Sequence, residues 1–576
     1  MKWCMIDDYD VANFKGYNLS SLILDQYYLN INVSYYKNIF LYTLNKDCYE
    51  CPYLITDYCI DLNEECSKDL TKNIFNTHMT FRLATERKEY FPQDQTENVI
   101  CDINNEFGQF GVYNVEVNES GCFVDVLKQP VNIYTPILTV TLIWIVVLLM
   151  IFGATKIWKK LISKEESTEE THDGVNKRKQ RILSLDTFRG LTVVIMIFVN
   201  YGQGGYTTIE HARWNGLHVA DLVFPSFLWI MGACIPIGMI SNFKKSISNK
   251  KITLNILKRS IKLFCLGIFL NGGSDLNYLR ILGVLQRLGI CYFVTSIICL
   301  YLMNREDEVK EEQNWLRHIK DLTKLYRGWL AVIGILILHT VLIFSISAPN
   351  CPRGYMGPGG LHKNRSYVNC IGGATGYIDG LILGNHRYQY PTIYDTYEAK
   401  PFDPEGLVGC LTSIFQTFIG VQAGITLIIY KSHSERLIRW LSWAVITGMF
   451  GGILSGFSKE NGIIPVNKNL WSLSFVMATS CFSFFMLSIC YVLVDSKKWW
   501  HGKPFIYAGQ NAILLYIGHE LLDGHFPVRW YIHNSSNLTE EPRRTHFLAL
   551  LSDTWATGFW ILITYYLYKI KYFFTI

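Results

Sequence analysis

The chain has 576 residues, of which 50% are hydrophobic, 14% aromatic and only 18% charged. Soluble domains carry about 25% charged residues, so long runs nearly free of charge argue for a polytopic membrane protein. The formal charge of +5 is modest and no basic block is interleaved with aromatics, which sets nucleic acid aside as a partner.

Residues 1–130 read as a separate domain. Segments such as "FGVYNVEV", "CFVDVLK" and "MTFRLA" alternate apolar and polar residues and are rich in aromatic and β-branched types. They predict a small β-sandwich of roughly 100 residues. The opening "MKWCMIDDYD" lacks the apolar stretch of a signal peptide. Either an upstream signal precedes this chain, which is the expectation, or the first span carries its own N-terminus across.

The domain holds Cys4, Cys48, Cys51, Cys59, Cys66, Cys101 and Cys122, and a later loop adds Cys351 and Cys370. An oxidising compartment makes disulfides the default. The pairing does not follow from sequence; one expectation is a bridge from the domain to that later loop. A zinc or redox role for the Cys48/Cys51 pair lacks a second CxxC or His pair beside it, so no metal site is expected.

Residues 131–576 are expected to form an all-α polytopic domain of about eleven transmembrane helices. The apolar runs are 136–154, 187–205, 219–241, 256–271, 280–303, 328–348, 406–430, 438–456, 470–494, 505–521 and 553–570. The fourth and tenth are short. Lys and Arg crowd the linker 155–185 and the stretches "NFKKSISNKK", "KSHSERLIR" and "DSKKWWHGKP". Cytosolic ends favour such residues. The N-terminal domain and the large loop 349–405 then fall on the lumenal side and the C-terminus in the cytosol. N-x-[ST] sequons at Asn18, Asn32, Asn118, Asn364, Asn534 and Asn537 all lie in segments that the charge rule places outside.

Ionisable groups inside spans are costly and default to functional candidates. Asn200 closes the second span, Asp221 opens the third, and His211 lies in the loop between them. Arg280 opens the fifth span, with Gln286 and Arg287 about two turns deeper; Arg280 and Arg287, seven apart, share a face. His519 and Glu520 close the tenth. All belong to the same leaflet. Each has a plainer role open to it. Asp221 could cap a helix, the arginines could pair with Asp221 or Glu520, and His519 could bond to backbone. His211 could be structural. As a functional group, histidine suits acyl transfer: its ordinary pKa of about 6.5 lets it take a proton from an amine or carry the acyl group itself. An asparagine beside it could donate to an oxyanion. Cysteines within spans read as small core residues.

The stretch "RILSLDTFRGLTVVIMIFVNYGQGGYTTIEHARWNGLHVADLVFPSFLWIMG" resembles the heparan-alpha-glucosaminide N-acetyltransferase family. So do "LRILGVLQRLGICYF", "CPRGYMGPGG", "GGATGYIDGLILG", "DPEGLVG", "GVQAG", "IPVNKNLWSLSF" and "GQNAILLYIGHE", and "CDINNEFGQFGVYNVEV" in the outer domain. The resemblance implies a dimeric lysosomal membrane enzyme with eleven spans and a lumenal N-terminal domain. It implies transfer of acetyl from cytosolic acetyl-CoA, a co-substrate with no permanently bound cofactor, to the non-reducing terminal glucosamine of heparan sulfate during its degradation. It makes His211, in "HARWNGL", and Asn200, in "FVNYG", the active-site pair. Departures are "GQGGY", where the family has a plain Gly run, and Arg213, where a small residue is usual.

"SLDTFRG" is similar to the D-x-x-R-G signature of wider membrane acyltransferases. Its Arg189 either pairs with Asp186 one turn away or meets CoA phosphates. On this reading His211 deprotonates the amine or carries the acetyl transiently, and Asn200 steadies the oxyanion. Trp214 packs on the sugar, and Arg280 and Arg287 hold donor phosphates or acceptor sulfates. Alternatives are an acyltransferase for another amino sugar, a secondary transporter, for which no internal duplication is visible, or an adhesion receptor.

Overall fold

A computed structural model describes residues 13–36, 38–60, 70–162, 182–272, 275–303, 319–529, 532–533, 539–540 and 545–574. Cys4, Cys66, Asn534, Asn537 and most of the linker lie outside the described residues.

The N-terminal part is β-rich, as expected. The strands are β1 (Asn13–Phe14), β2 (Tyr17–Asn18), β3 (Gln26–Val33), β4 (Ile39–Asn45), β5 (Tyr53–Ile60), β6 (Asn73–Asn76), β7 (Met79–Ala84), β8 (Tyr90–Phe91), β9 (Val99–Ile103), β10 (Val112–Asn118) and β11 (Gly121–Lys128). One sheet runs β11-β10-β3-β6, with β3 and β10 parallel; the other runs β8-β5-β4-β7-β9. Alternate residues of both sheets, among them Tyr27, Leu29, Ile31, Leu41, Phe81, Leu83 and Val115, form one buried cluster. That is the face-to-face packing of a sandwich. The Cys101–Cys122 disulfide joins β9 of one sheet to β11 of the other. Asn18, Asn32, Asn118 and Asn364 are all exposed.

The helices are α1 (Thr135–Ile162), α2 (Leu183–Asn200), α3 (Val223–Lys244), α4 (Asn249–Asn271), α5 (Val284–Leu302), α6 (Lys320–Ser345), α7 (Ala374–Leu383), α8 (Tyr394–Tyr397), α9 (Leu407–Ile429), α10 (His433–Ser455), α11 (Leu473–Cys490), α12 (Phe505–Gln510), α13 (Ala512–Leu521) and α14 (His546–Lys569). Among the described residues, nine are long and apolar enough to cross a membrane: α1, α2, α3, α5, α6, α9, α10, α11 and α14. α4 has the length at 23 residues but carries Lys250, Lys251, Lys258, Arg259 and Lys262. The tenth expected span is broken at Asn511 into α12 and α13.

α9 is the hub, buried along nearly its whole length. It meets α3 through glycines: a Cβ on Gly232 would overlap the carbonyl oxygen of Thr417, and one on Gly420 that of Trp229. Small residues let membrane helices approach to backbone contact. α2 and α12 meet the same way. A Cβ on Gly190 would overlap the carbonyl oxygen of Phe505, and one on Gly509 that of Asp186. Gly190→Ala is therefore expected to destabilise the fold by roughly 1–3 kcal/mol, the cost of overpacking. Thermal unfolding in detergent would show a lowered Tm; an unchanged Tm would contradict this backbone contact.

The β domain sits on the end of the bundle where α2 finishes and α3 begins. Its 47–51 turn packs against Trp214, Leu361, Tyr397, Phe402 and Leu470 in one cluster. Tyr397 OH donates to Asp47 O at 3.2 Å and accepts from Tyr49 N at 3.1 Å. The expected disulfide clamp between domain and loop is corrected here. Cys351 pairs with Cys370 inside the loop and Cys48 with Cys51 inside the turn, so the domain is held by packing and hydrogen bonds.

Candidate active site

The loop between α2 and α3 is folded around one carboxylate. Asp221 is fully buried. Its Oδ2 accepts from Ala212 N at 3.1 Å and His218 N at 3.0 Å, and its Oδ1 lies 2.7 Å from His211 Nδ1. Rather than capping α3, it closes the 211–221 loop on itself. A carboxylate can only accept, so Nδ1 of His211 carries the hydrogen and Nε2 is left with its lone pair.

Lys468, which sequence reasoning missed, completes the group. Its Nζ stands 3.1 Å from both ring nitrogens of His211. Equal distances to both nitrogens place the ammonium over the face of the ring, so the in-plane lone pair of Nε2 stays open. The approach follows from a pairing of two loops. Gly216 N donates to Val466 O at 2.8 Å, Asn467 Nδ2 to Asn215 Oδ1 at 3.0 Å, and Asn469 Nδ2 to Arg213 O at 3.4 Å. This bridge between Asn215 and Asn467 delivers the next residue, Lys468, to the imidazole. Burial, and then the Lys468 ammonium, push the His211 pKa below its ordinary value. Burial likewise lowers that of Lys468.

His211 lines two cavities. The larger, of about 1300 Å³, runs between α2, α3, α4, α5 and α13. On α3 its lining residues run from Val223 through Phe227, Met231 and Cys234 to Asn242, at helical spacing on one face. That length is about 28 Å at 1.5 Å per residue, close to the roughly 30 Å hydrocarbon core of a bilayer. One end holds His211, Arg280, Glu405 and Lys468; the walls toward the other hold Arg189, Lys258, Arg259 and Lys262. The smaller cavity, of about 220 Å³, opens on the β-domain side of His211 and is lined by residues including Asp47, Trp214, Asn215 and Glu460.

The other candidates fall into two groups. Asn200, Arg189, Arg280, His519 and Glu520 line the large cavity with His211. His519 Nδ1 donates to Leu515 O at 3.1 Å, so its Nε2 accepts from Asn200 Nδ2 at 2.9 Å. The second Asn200 amide hydrogen reaches Glu520 Oε1 at the longer distance of 3.4 Å. An oxyanion can therefore be served only by exchanging that weaker contact.

Arg189 donates to Asp186 Oδ1 and Gly509 O, both at 3.3 Å, while lining the cavity. The pairing with Asp186 one turn away is thus present, on a side chain that also borders the cavity. Arg280 is already neutralised: it meets Asp403 at 2.6 and 3.0 Å and Glu405 at 2.6 Å. Gln286 and Arg287 are fully buried and line neither cavity. Arg287 donates to Pro404 O and Gly406 O at 3.0 Å and lies 4.7 Å over the Trp471 ring, fixing the segment that carries Glu405. Trp214 is buried, with its Nε1 on Met356 O at 2.9 Å. Among the described residues no group of three His, Cys, Asp or Glu side chains is placed to hold a metal.

An oriented imidazole with a buried carboxylate behind it is the arrangement of a general base. No family model matches the chain. Two curated relatives do. The heparan-alpha-glucosaminide N-acetyltransferase of Mus musculus is 36% identical over 523 residues, covering 83% of this chain and 78% of the relative. The protein of the same name from Homo sapiens is 37% identical over 525 residues, with the same coverage of 83% and 78%.

Proposed function

Because the chain belongs to the heparan-alpha-glucosaminide N-acetyltransferase family, we propose that it moves acetyl from cytosolic acetyl-CoA to the terminal glucosamine amine of heparan sulfate on the lumenal side of the lysosomal membrane. The observation that carries this reading is the double exposure of His211, to a membrane-long cavity on one side and a sugar-sized pocket on the other. α4 and the α12–α13 pair complete an eleven-span bundle, domain boundaries fall near residue 130, the chain pairs as a homodimer, and the exposed sequons carry glycans. α4 is more charged than the other spans because three of its basic residues line the cavity.

In this reading the nucleotide phosphates of the donor meet Arg189, Lys258, Arg259 and Lys262. The pantetheine arm threads the cavity and brings the thioester to His211. The acceptor amine meets the in-plane lone pair of Nε2, beside the Lys468 ammonium over the ring face. As the amine nitrogen attacks the thioester carbon, Nε2 takes its proton; the C–N bond forms, the C–S bond breaks, and the proton passes to the departing thiolate. An acceptor arriving as an ammonium releases one further proton to solvent. Asp221 holds the imidazolium that forms, and Asn200 or Lys468 serves the oxyanion. A lowered His211 pKa leaves more of the base unprotonated in an acidic lumen than an ordinary histidine would have.

Detergent-solubilised protein incubated with acetyl-CoA and a fluorogenic glucosaminide is expected to form the N-acetyl product; absence of product with intact, folded protein would refute the assignment. The role of Lys468 has its own signature. Activity is lost as pH falls through the His211 pKa. Lys468→Gln removes one of the two causes depressing that pKa, so the acid limb of kcat/KM is expected to move to higher pH. Ionisation of the substrate contributes equally to both profiles and cancels in the comparison. A limb that stays put or moves down would contradict it.

A further inference from the structure

The smaller cavity is built by two parts of the chain, and the β domain contributes a charge to it. Three carboxylates border it: Asp47 from the β domain, Glu210 from the α2–α3 loop and Glu460 from the α10–α11 loop. They are not equivalent. Glu210 is paired with Arg213 at 3.3 Å. Glu460 accepts from the neutral amide of Asn215 at 2.6 Å, and burial raises its pKa. The Asp47 carboxylate makes no hydrogen bond or ion pair among the described residues.

Asp47 is nonetheless held in place. Its backbone oxygen accepts from Tyr397 OH, its amide donates to Asn45 Oδ1 at 2.9 Å, and the Cys48–Cys51 disulfide closes the turn behind it. The pocket thus combines a base on one wall with carboxylate charge on the others. Its one remaining cation, Lys459, is exposed.

We infer that the β domain completes the acceptor subsite: Asp47, together with Glu460, receives the ammonium of a terminal amino sugar and hands it to His211. The chemistry is that of a charge-assisted hydrogen bond, and it selects a cationic sugar over its neutral N-acetyl product. The volume of about 220 Å³ holds a single sugar ring, so the pocket takes a chain end and not an internal unit. Release follows from the same physics. Once acetylated, the nitrogen carries no charge and the carboxylates lose their partner.

This inference rests on the acetyltransferase reading, and its test separates the two. In Asp47→Asn, the KM for a fluorogenic glucosaminide is expected to rise at least about tenfold, the size of a lost hydrogen bond to a charged group. The inhibition constant of the corresponding N-acetylglucosaminide and the KM for acetyl-CoA are expected to stay within about twofold, because neither ligand brings an ammonium to the pocket. Glu460→Gln, read the same way, is a second variant on a different loop and guards against misfolding of the first. If the glucosaminide KM is unchanged in both variants, or rises in step with the inhibition constant, the ammonium subsite is overturned while the acetyltransferase reading stands. If the wild-type protein acetylates no glucosaminide at all, the acetyltransferase reading fails and this inference with it.

Discussion

His211→Ala is expected to lower kcat/KM for acetyl transfer by about 10²–10⁴-fold, the range a positioned general base contributes. The fold is expected to survive. The imidazole is partly exposed where the two cavities meet, and Asp221 keeps its two backbone donors, Ala212 N and His218 N, when the ring is gone. Acetyl-CoA should still raise the Tm of the variant, since binding to the native state alone stabilises it. The donor's phosphates are assigned to the basic residues far from His211. The check is an initial-rate assay beside a thermal-shift titration with acetyl-CoA. Full activity in a folded variant would remove His211 from the mechanism. Loss of both activity and donor stabilisation would show that it serves binding instead.

Asp221→Asn is expected to be nearly as damaging, again about 10²–10⁴-fold, through the imidazole it orients. The carboxylate forces the hydrogen onto Nδ1 and leaves Nε2 free to act. An amide in its place can donate to Nδ1, which puts the hydrogen on Nε2 and disables the base. The same substitution behind the histidine of a Ser-His-Asp triad costs about 10⁴-fold for that reason. Asn is the informative replacement, because Ala would also orphan two buried N–H groups.

Two signatures separate orientation from general damage. The double variant His211→Ala/Asp221→Asn should be no slower than His211→Ala alone, since the two act as a unit. The residual activity of Asp221→Asn should also show its acid limb at lower pH, because Asp221 is among the groups that raise the His211 pKa. That shift is opposite in sign to the one expected for Lys468→Gln. Additive losses, or a limb that moves up, would contradict the role.

The sequence shows apolar segments well and cavity walls poorly, and the reason is physical. Nine of the eleven expected spans are helices of sufficient length and apolarity, because lipid demands both. The two that fall short, α4 and α12–α13, line the large cavity. Lys258, Arg259 and Lys262 of α4 line it, as do Gln510 and Ala512 on either side of the break at Asn511.

His211, Asn200 and Asp221 are conspicuous in the sequence because a polar or ionisable group beside an apolar run stands out. Lys468 is not. It lies in "IPVNKNLWSLSF" as a lone lysine in an outer loop, which reads as a solvated charge. Its role comes from a long-range bridge between Asn215 and Asn467 that no local pattern encodes. Arg287 is the opposite case: its shared face with Arg280 left a structural pair and an anion-holding pair both open, and Arg287 is sealed against Trp471 while Arg280 is paired with two carboxylates. Periodicity gives the face of a helix, not what occupies it.

The central claim is that one imidazole is reached by donor and acceptor from opposite sides of a membrane. Proteoliposomes test it directly. Radiolabelled acetyl-CoA is supplied only outside, a membrane-impermeant glucosamine-terminated oligosaccharide is trapped only inside, and label transfer is followed with time. Labelled oligosaccharide is expected to accumulate inside, and to do so only in the fraction of vesicles whose β domain faces the interior. Product that forms only when both substrates share one compartment would contradict the claim.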